Sequence, residues 1–299
     1  MSQNAHRTSP HTEGTGPAVV VAGHVTLDRV GEGYVPGGSA WYTARALLEL
    51  GASPRVVTAA GPDYPVDALR GIPSVVRPAA ATTTFENLYG PDGRRRQRVL
   101  AAAPPLVPAD VPATEVWHRP DALLLALVLD ELVPGDFVEV VRAPVVGLVV
   151  QGLLRRVGPD GAVTQPRWEP APGALRGVGV AFLGEDELTG QGDLAARLAA
   201  QVPVVVLTHS ARGCELWAAG RRAEVGAFPA REVEPTGAGD AFAAGFVLAL
   251  AGGADPVEAA RLGAAAGSIA VEGIGGEALG RMGEAFERAR RVPVLSPLR

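Results

Sequence analysis

The stretch that decides the fold is Glu234-Pro235-Thr236-Gly237-Ala238-Gly239-Asp240-Ala241-Phe242-Ala243-Ala244-Gly245-Phe246. It begins with a turn of small residues and continues as an apolar helix. We therefore expect Gly237, Ala238 and Gly239 at a helix N-terminus, where free N–H groups and the helix dipole attract anions. A carboxylate at Asp240 beside such a site suits the deprotonation of a hydroxyl next to a phosphoryl group. The pattern predicts phosphotransferase chemistry, although a glycine-rich turn before an acidic helix start accounts for the same residues.

The composition of the chain narrows the class of protein. In 299 residues, 47% are hydrophobic and only 5% aromatic, which favours one α/β domain with a core of alanine, valine and leucine. The net charge of −5 argues against a general nucleic-acid binder. All 27 basic residues are arginine, so chemistry that requires a lysine is excluded. Any bound phosphate must be neutralised by backbone N–H groups, arginine and a metal ion.

The ends and the single cysteine of the chain predict a cytoplasmic protein. Cys214 has no partner for an internal disulfide, which is typical of a reducing compartment. Residues 1–16 are polar and predict a disordered tail rather than a signal peptide. Apolar runs such as 145–150 are too short to span a membrane.

Outside the quoted stretch, short apolar runs alternate with segments of helical spacing. This order predicts a mostly parallel sheet flanked by helices. The expected strands are 18–23, 55–60, 122–127, 145–150, 178–183, 204–208, 216–219 and 222–225, and the expected helices are 40–50, 194–200, 238–251, 256–271 and 279–289. No linker or repeat divides the chain, so we expect a single domain over residues 17–299.

Residues 82–100 predict a small hairpin extension of this domain. Two segments rich in threonine and aromatic residues, 82–89 and 94–100, flank Gly90-Pro91-Asp92-Gly93. The hairpin carries Arg94, Arg95 and Arg96. These arginines are expected at a solvated tip, or alternatively one of them reaches over the site.

These residues resemble the PfkB/ribokinase family of carbohydrate kinases. Pro235 to Asp240 is similar to the family's C-terminal signature, and Gly37-Gly38 before a helix is similar to its N-terminal di-glycine motif. The resemblance implies a three-layer ribokinase-like α/β fold, with ATP and Mg²⁺ as cofactors and Asp240 as the catalytic base. It further implies that Gly237, Ala238 and Gly239 stabilise the transferring phosphoryl group.

The resemblance assigns the other candidate site residues to an acceptor side and a nucleotide side. Asp28, Gly37 and Gly38 are expected to bind the acceptor, and we add Gln151, which directly follows the predicted strand 145–150. Asp28 also fits a loop or cap residue. The expected nucleotide-binding residues are Thr208, Ser210, Gly213, Ser268 and Gly275.

The chain departs from the family pattern at four places. Gly184 stands where an Asn of the Asn-x-x-Glu motif is usual, so the role of Glu187 near Mg²⁺, through water, is left open. Ser210 replaces the middle glycine of the nucleotide loop. Glu234 replaces an Asp in a region that binds a monovalent cation in some members. Gly37 follows Asp28 by only nine positions, which predicts a short loop over residues 29–36, a reduced lid and no clasp dimer.

The sequence therefore predicts ATP-dependent phosphorylation of a hydroxyl on a small polyol. The short lid and the run Thr82 to Asn87 resemble the inositol-kinase-like branch, so myo-inositol or a related cyclitol is the first candidate. A nucleoside or a furanose or keto sugar is the alternative within the family. A catalytically silent sugar- or nucleotide-binding member is the alternative from another class. We expect no nucleic-acid or membrane partner, and a monomer or a dimer that does not use the clasp.

Overall fold

The computed structural model describes residues 16–89 and 95–298, so most of the predicted tail and the tip of the hairpin, with Arg94, lie outside it. The helices are α1 (Ser39–Glu49), α2 (Glu115–His118), α3 (Pro134–Val140), α4 (Gln151–Leu154), α5 (Leu194–Ala199), α6 (Ala238–Ala251), α7 (Pro256–Ala270) and α8 (Ala285–Ala289). The strands are β1 (Ala18–Ala22), β2 (Thr26–Val30), β3 (Gly33–Gly37), β4 (Ser53–Ala60), β5 (Ser74–Pro78), β6 (Thr83–Tyr89), β7 (Arg95–Ala101), β8 (Ala122–Ala126), β9 (Val145–Val149), β10 (Arg156–Val157), β11 (Val163–Thr164), β12 (Val180–Gly184), β13 (Val204–Thr208), β14 (Cys214–Ala218), β15 (Arg221–Val225) and β16 (Val294–Ser296).

A ten-stranded sheet in the order β16-β15-β14-β13-β12-β9-β8-β1-β4-β5 forms the centre of the molecule. Its strands run parallel from β5 to β13, and β14, β15 and β16 add antiparallel pairs at one edge. The prediction of a mostly parallel sheet flanked by helices is therefore confirmed. No helix of the described residues is long and apolar enough to cross a membrane.

Both faces of this sheet are covered, which explains why its central strands are apolar throughout. Leu124 of β8 packs with α1, α6 and α7 on one face, whereas Leu123 and Leu125 pack with α3 and α5 on the other. Successive side chains of a strand point to opposite faces, so a strand buried on both sides needs an unbroken apolar run. The carboxyl ends of the parallel strands lie at one edge of the sheet.

A second sheet, in the order β3-β2-β6-β7, stands beside this edge, and we call it the lid. The predicted hairpin 82–100 is confirmed as the antiparallel pair of β6 and β7. The predicted loop over residues 29–36 is wrong, because β2 and β3 form an antiparallel hairpin there. Two residues, Gly31 and Glu32, suffice to connect them, and Gly31 adopts a φ of +60°. Nine positions are thus enough for a tight hairpin. The expectation of a non-clasp dimer was based on a loop over these residues, so it no longer has that support.

The C-terminal segment also differs from its predicted helix 279–289. Residues Glu277–Glu284 form a 3₁₀ helix, and only Ala285–Ala289 are α-helical. Gly280 and Gly283 lie within this segment, and glycine lowers the stability of an α-helix by about 1 kcal/mol relative to alanine. The tighter 3₁₀ turns therefore replace the first part of the predicted helix.

Candidate active site

The quoted signature forms the turn before α6, and Asp240 is the third residue of that helix. Gly237 has a φ of +80°, and a Cβ atom there would lie 2.3 Å from Cδ1 of Tyr42 in α1. Both the backbone conformation and the close ring exclude any side chain at this position. The turn is therefore pressed against α1, which follows the other family motif, Gly37-Gly38.

The contact between the two helices joins two motifs that lie 200 residues apart in the chain. The hydroxyl of Ser39, the first residue of α1, donates a hydrogen bond to the carboxylate of Asp240. Gly38 directly precedes α1 with a φ of +90°, and a Cβ there would lie 2.8 Å from the carbonyl oxygen of His24. Glycine is needed at this position because the chain turns tightly against the end of β1.

Asp240 is only partly exposed, and its surroundings shift its protonation equilibrium. Burial raises the pKa of Asp240 to about 6, while the Ser39 hydrogen bond and the positive charge of Arg155 lower it and the charge of Glu187 raises it. A carboxylate that exchanges its proton close to neutral pH is well suited to act as a general base. The role of Asp240 as the catalytic base stays a prediction.

At the N-terminus of α6, three N–H groups are predicted to bind an anion. Within the described residues, the N–H groups of Gly237 and Gly239 donate to no other residue, and the same holds for Asp240 itself. The N–H of Ala238 differs from the prediction, because it donates to the carbonyl oxygen of Pro235 at 3.2 Å. Two of the three predicted donors are therefore not used within the described residues, and Asp240 N–H is a further such donor that the sequence analysis missed.

Asp28 lies on β2 of the lid and faces the di-glycine motif. A Cβ at Gly37 would lie 2.4 Å from Oδ2 of Asp28, so the missing side chain makes room for this carboxylate. In the lid, Asp28 pairs in register with Val35 of β3 and Phe85 of β6. The predicted acceptor residues Asp28, Gly37 and Gly38 are thus adjacent to one another and to Ser39.

Tyr42 is a site residue that the sequence analysis missed. Burial raises the pKa of its phenol above the usual range, and the negative charges of Asp28, Glu234 and Asp240 raise it further. Three predicted residues from distant parts of the chain therefore act electrostatically on one phenol. Tyr42 lies four residues after Gly38, on the face of α1 that packs against α6. The sequence could indicate its place in the site only if the pairing of these two helices were known.

Gln151 and Glu187 lie together where β9 and β12 end. The side-chain amide of Gln151 donates to Oε1 of Glu187 at 3.2 Å, and the Gly184 N–H donates to Oε2 of the same carboxylate. Glu187 is buried, and burial raises its pKa. Both carboxylate oxygens therefore have internal donors, and among the described residues no group of three or more metal-ligating side chains is found.

The nucleotide-side residues divide into two groups. Thr208 ends β13 directly beside Gly184, and the following turn carries Ser210 and Gly213. Ser210 has a φ of +51°, which explains why glycine is favoured at this position of the loop. These residues lie on the sheet edge next to Glu187.

Ser268 and Gly275 are engaged by internal partners. The Ser268 hydroxyl donates to the carbonyl oxygen of Ala265 at 2.6 Å and accepts from Nη1 of Arg288 at 3.2 Å. The Gly275 N–H donates to Oε2 of Glu234 at 2.8 Å. In this structure Glu234 accepts a hydrogen bond from the turn after α7. The sequence analysis had placed Glu234 in a region that binds a monovalent cation in some family members.

Comparison with known proteins assigns the chain to a family. Residues 177–279 match the family described as pfkB family carbohydrate kinase. The chain is 33% identical to an inositol 3-kinase of Oryza sativa subsp. japonica over 80% of its own length and 63% of the relative's. It is 30% identical to an inositol 3-kinase of Arabidopsis thaliana over 80% of its own length and 68% of the relative's. It is 34% identical to an inositol 3-kinase of Zea mays over 66% of its own length. The match covers 50% of that relative, so the chain spans about half of its length.

Solved structures of the same fold include a pyrophosphate-dependent kinase of the ribokinase family complexed with a pyrophosphate analog and myo-inositol. The chain aligns with it at a TM-score of 0.70 and 23% identity, covering 84% of this chain and 94% of that one. It aligns with Arabidopsis thaliana ribokinase, complexed with ribose and ATP, at a TM-score of 0.71, 20% identity and coverages of 92% and 99%. The fold is ribokinase-like, and the chain belongs to the pfkB family of carbohydrate kinases.

Proposed function

We propose that the protein is an ATP-dependent kinase that phosphorylates a hydroxyl of a small polyol, with myo-inositol or a related cyclitol as the first candidate. The observation that carries this proposal is the junction of Ser39 and Asp240. It joins a carboxylate of raised pKa, the open N–H groups before α6 and the lid residue Asp28 in one place. The similarity to three plant inositol 3-kinases supports the choice of acceptor.

In the proposed reaction Asp28 holds hydroxyls of the acceptor through its two carboxylate oxygens. Asp240 accepts the proton of the reacting hydroxyl while the oxygen–phosphorus bond forms. The bond between the γ-phosphorus and its bridging oxygen breaks, and the electron pair leaves with ADP. The N–H groups of Gly237 and Gly239, at the positive end of α6, stabilise the charge on the transferring phosphoryl oxygens.

The residues present fit a magnesium ion held mainly by phosphates and water. Mg²⁺ commonly keeps several waters and takes few protein ligands. Glu187 is the acidic residue at this sheet edge that we assign to the ion. The ion supplies neutralisation of phosphate charge when bound. Because the oxygens of Glu187 already accept from Gly184 and Gln151, its contribution is through bound water.

ATP is proposed to lie along Thr208, Ser210 and Gly213 toward the turn at Gly275. The buried hydroxyl of Ser268 is bonded within the protein, so it shapes the pocket wall rather than contacting adenine. Glu234 is proposed to stabilise that wall through Gly275 instead of binding a monovalent cation. The small-molecule acceptor is the proposed partner.

A panel assay tests this function. Formation of ADP is measured with ATP and Mg²⁺ and with myo-inositol, other cyclitols, ribose, fructose or adenosine as the acceptor, with Asp240→Asn as the control. In a parallel series pyrophosphate replaces ATP and the phosphorylated acceptor is measured instead of ADP, because structural neighbours are pyrophosphate-dependent kinases. We expect acceptor-dependent ADP formation that is highest with a cyclitol. A preference for adenosine or a furanose would overturn the acceptor assignment, and thermal stabilisation by ligands without turnover would identify a silent family member.

A further inference from the structure

His209 lies in the nucleotide loop (residues 208–213), and the proposed function gives its side chain no role. This side chain is 20% exposed and lies between two carboxylates. Its Nδ1 forms a hydrogen bond of 3.2 Å with Oε2 of Glu185. Its Nε2 lies 3.4 Å from Oε1 of Glu215, which is an electrostatic contact without hydrogen-bond geometry. One imidazole therefore has an acidic neighbour on each side.

The two carboxylates belong to different elements of the sheet edge. Glu185 directly follows β12 and begins the short helix that contains Glu187, whereas Glu215 is the second residue of β14. The imidazole thus connects the nucleotide loop with the end of one neighbouring strand and the start of another. Arg212 of the same loop also pairs with Glu185, but its side chain is 71% exposed. Exposed ion pairs contribute little, so the mostly covered His209 is the stronger connection.

The loop needs such a connection because its backbone is strained. Ser210 adopts a φ of +51°, in the left-handed region that favours glycine. A residue with a side chain keeps this conformation only where its surroundings enforce it. The loop also closes on His209, whose N–H donates to the Gly213 carbonyl oxygen at 2.7 Å and whose carbonyl oxygen accepts from the Arg212 N–H at 3.0 Å. His209 is thus the residue at which the loop is both closed and attached.

We propose that His209 is a positioning residue that holds the nucleotide loop in its binding conformation and compensates for the serine at position 210. This inference rests on the proposed function for the role of the loop in binding ATP. The proposed acceptor residues Asp28, Gly37 and Gly38 belong to β2, β3 and the start of α1. Loss of His209 is therefore expected to weaken the binding of nucleotide and to leave the binding of the acceptor almost unchanged.

The first test measures the binding of ADP with Mg²⁺ to the full chain by titration calorimetry. We expect His209→Ala to weaken it about tenfold, as for the loss of a hydrogen bond to a charged group. His209→Asn should restore most of the affinity, because its amide can donate to Glu185 from near the position of Nδ1. In turnover, KM for ATP should rise by the same factor, while kcat and KM for the polyol change by less than about twofold.

A double-mutant cycle tests the compensation for Ser210. Glycine adopts a positive φ without steric cost, so Ser210→Gly removes the strain that His209 is proposed to oppose. In that background, His209→Ala should weaken ADP binding by less than about threefold, and the difference between the two backgrounds gives the coupling. An equal loss in both backgrounds would overturn the compensation.

Trypsin reports the conformation of the loop without any measurement of activity. All basic residues of the chain are arginine, so trypsin cleaves only after arginine. The bond between Arg212 and Gly213 lies in the loop, and the bond between Arg70 and Gly71 is an internal reference, since the Arg70 side chain is 76% exposed. His209→Ala should raise the rate of cleavage at Arg212 relative to Arg70 at least about fivefold, because a loosened loop opens more often. Bound ADP should slow this cleavage.

His118→Ala is the matched control. His118 is also half-buried, but it ends α2 before the amino end of β8, whereas the nucleotide loop follows the carboxyl end of β13. This variant should keep the wild-type affinity for ADP and the wild-type ratio of cleavage rates. Circular dichroism and thermal melts establish that each variant is folded.

The outcomes separate this inference from the proposed function. A folded His209→Ala that changes only one of the two measurements, affinity or cleavage, or neither of them, would overturn the positioning role. A wild-type protein that binds ADP and responds to His209→Ala as expected, but phosphorylates no polyol, would refute the proposed function alone. A wild-type protein that binds no nucleotide would overturn both.

Discussion

Asp240→Asn is the substitution that separates the role of this residue in stability from its role in turnover. Asparagine has the same size and still accepts the hydrogen bond of Ser39, but it has no charge to lose. Burial raises the pKa of Asp240 from 3.8 to about 6, so the folded protein binds this proton more tightly than the unfolded chain does. The free energy of unfolding therefore falls progressively as the pH rises from about 4, and the loss is complete above about pH 6.

The size of this effect follows from the two pKa values. A tenfold difference in proton affinity corresponds to about 1.4 kcal/mol, so the upper bound at pH 8 is about 3 kcal/mol. Asp240 is partly exposed, and solvent screening reduces the expected gain to about 2 kcal/mol. For a domain of this size that gain raises the midpoint of thermal unfolding by about 4–8 °C.

The assay is thermal unfolding of both proteins at pH 8 and at pH 4.5. The stabilisation should shrink to less than half at the lower pH, since Asp240 is then protonated in the folded state. Asp67→Asn is the control, because its side chain is 81% exposed and its ion-pair partner among the described residues is the equally superficial Arg70. A destabilised Asp240→Asn at pH 8, or a gain that does not depend on pH, would refute the assignment of a raised pKa.

Turnover of the same variant tests the chemistry. Removal of a general base is expected to lower turnover by roughly 10²–10⁴-fold. The affinity for ATP should change little, because the nucleotide is proposed to be held by backbone N–H groups and the pocket wall. Near-normal kinase activity of Asp240→Asn on the true acceptor would show that another group takes the proton.

Three further substitutions test the surrounding site. Asp28→Ala should raise KM for the acceptor at least tenfold and leave slow ATP hydrolysis by water intact, as measured by ADP release with and without polyol; loss of both would contradict a role in acceptor binding. Gly237→Ala should abolish turnover and lower thermal stability, because a Cβ there would lie 2.3 Å from the Tyr42 ring at a φ of +80°; a soluble, active variant would disprove this packing. Ser39→Ala removes a hydrogen bond that lowers the pKa of Asp240, so the acid limb of the turnover profile should move to higher pH, and an unmoved limb would show that the bond is not formed in the working enzyme.

Some of this molecule could be predicted from local patterns. The apolar run Ala122 to Leu127 predicted a strand of the parallel sheet, because a strand covered by helices on both faces has no polar side. The signature before α6 predicted an anion-binding helix start with Asp240 in its first turn. The hairpin of β2 and β3 was missed, because the spacing of Asp28 and Gly37 was read as too short for two strands. Its two-residue turn at Gly31 makes that spacing sufficient.

The sequence by itself determined the class of fold, the family resemblance and the identity of the proposed base, because each depends on short runs of residues that are neighbours in the chain. Only the tertiary structure decided the state of that base. Ser39, Arg155 and Glu187 come from three separate segments, and their effect on the pKa of Asp240 arises only where the sheet edge brings them together. The same holds for the contact of Arg155 with Phe85 and for the bond from Gly275 to Glu234. Electrostatic effects depend on distance and burial in space, and neither can be read from positions along the chain.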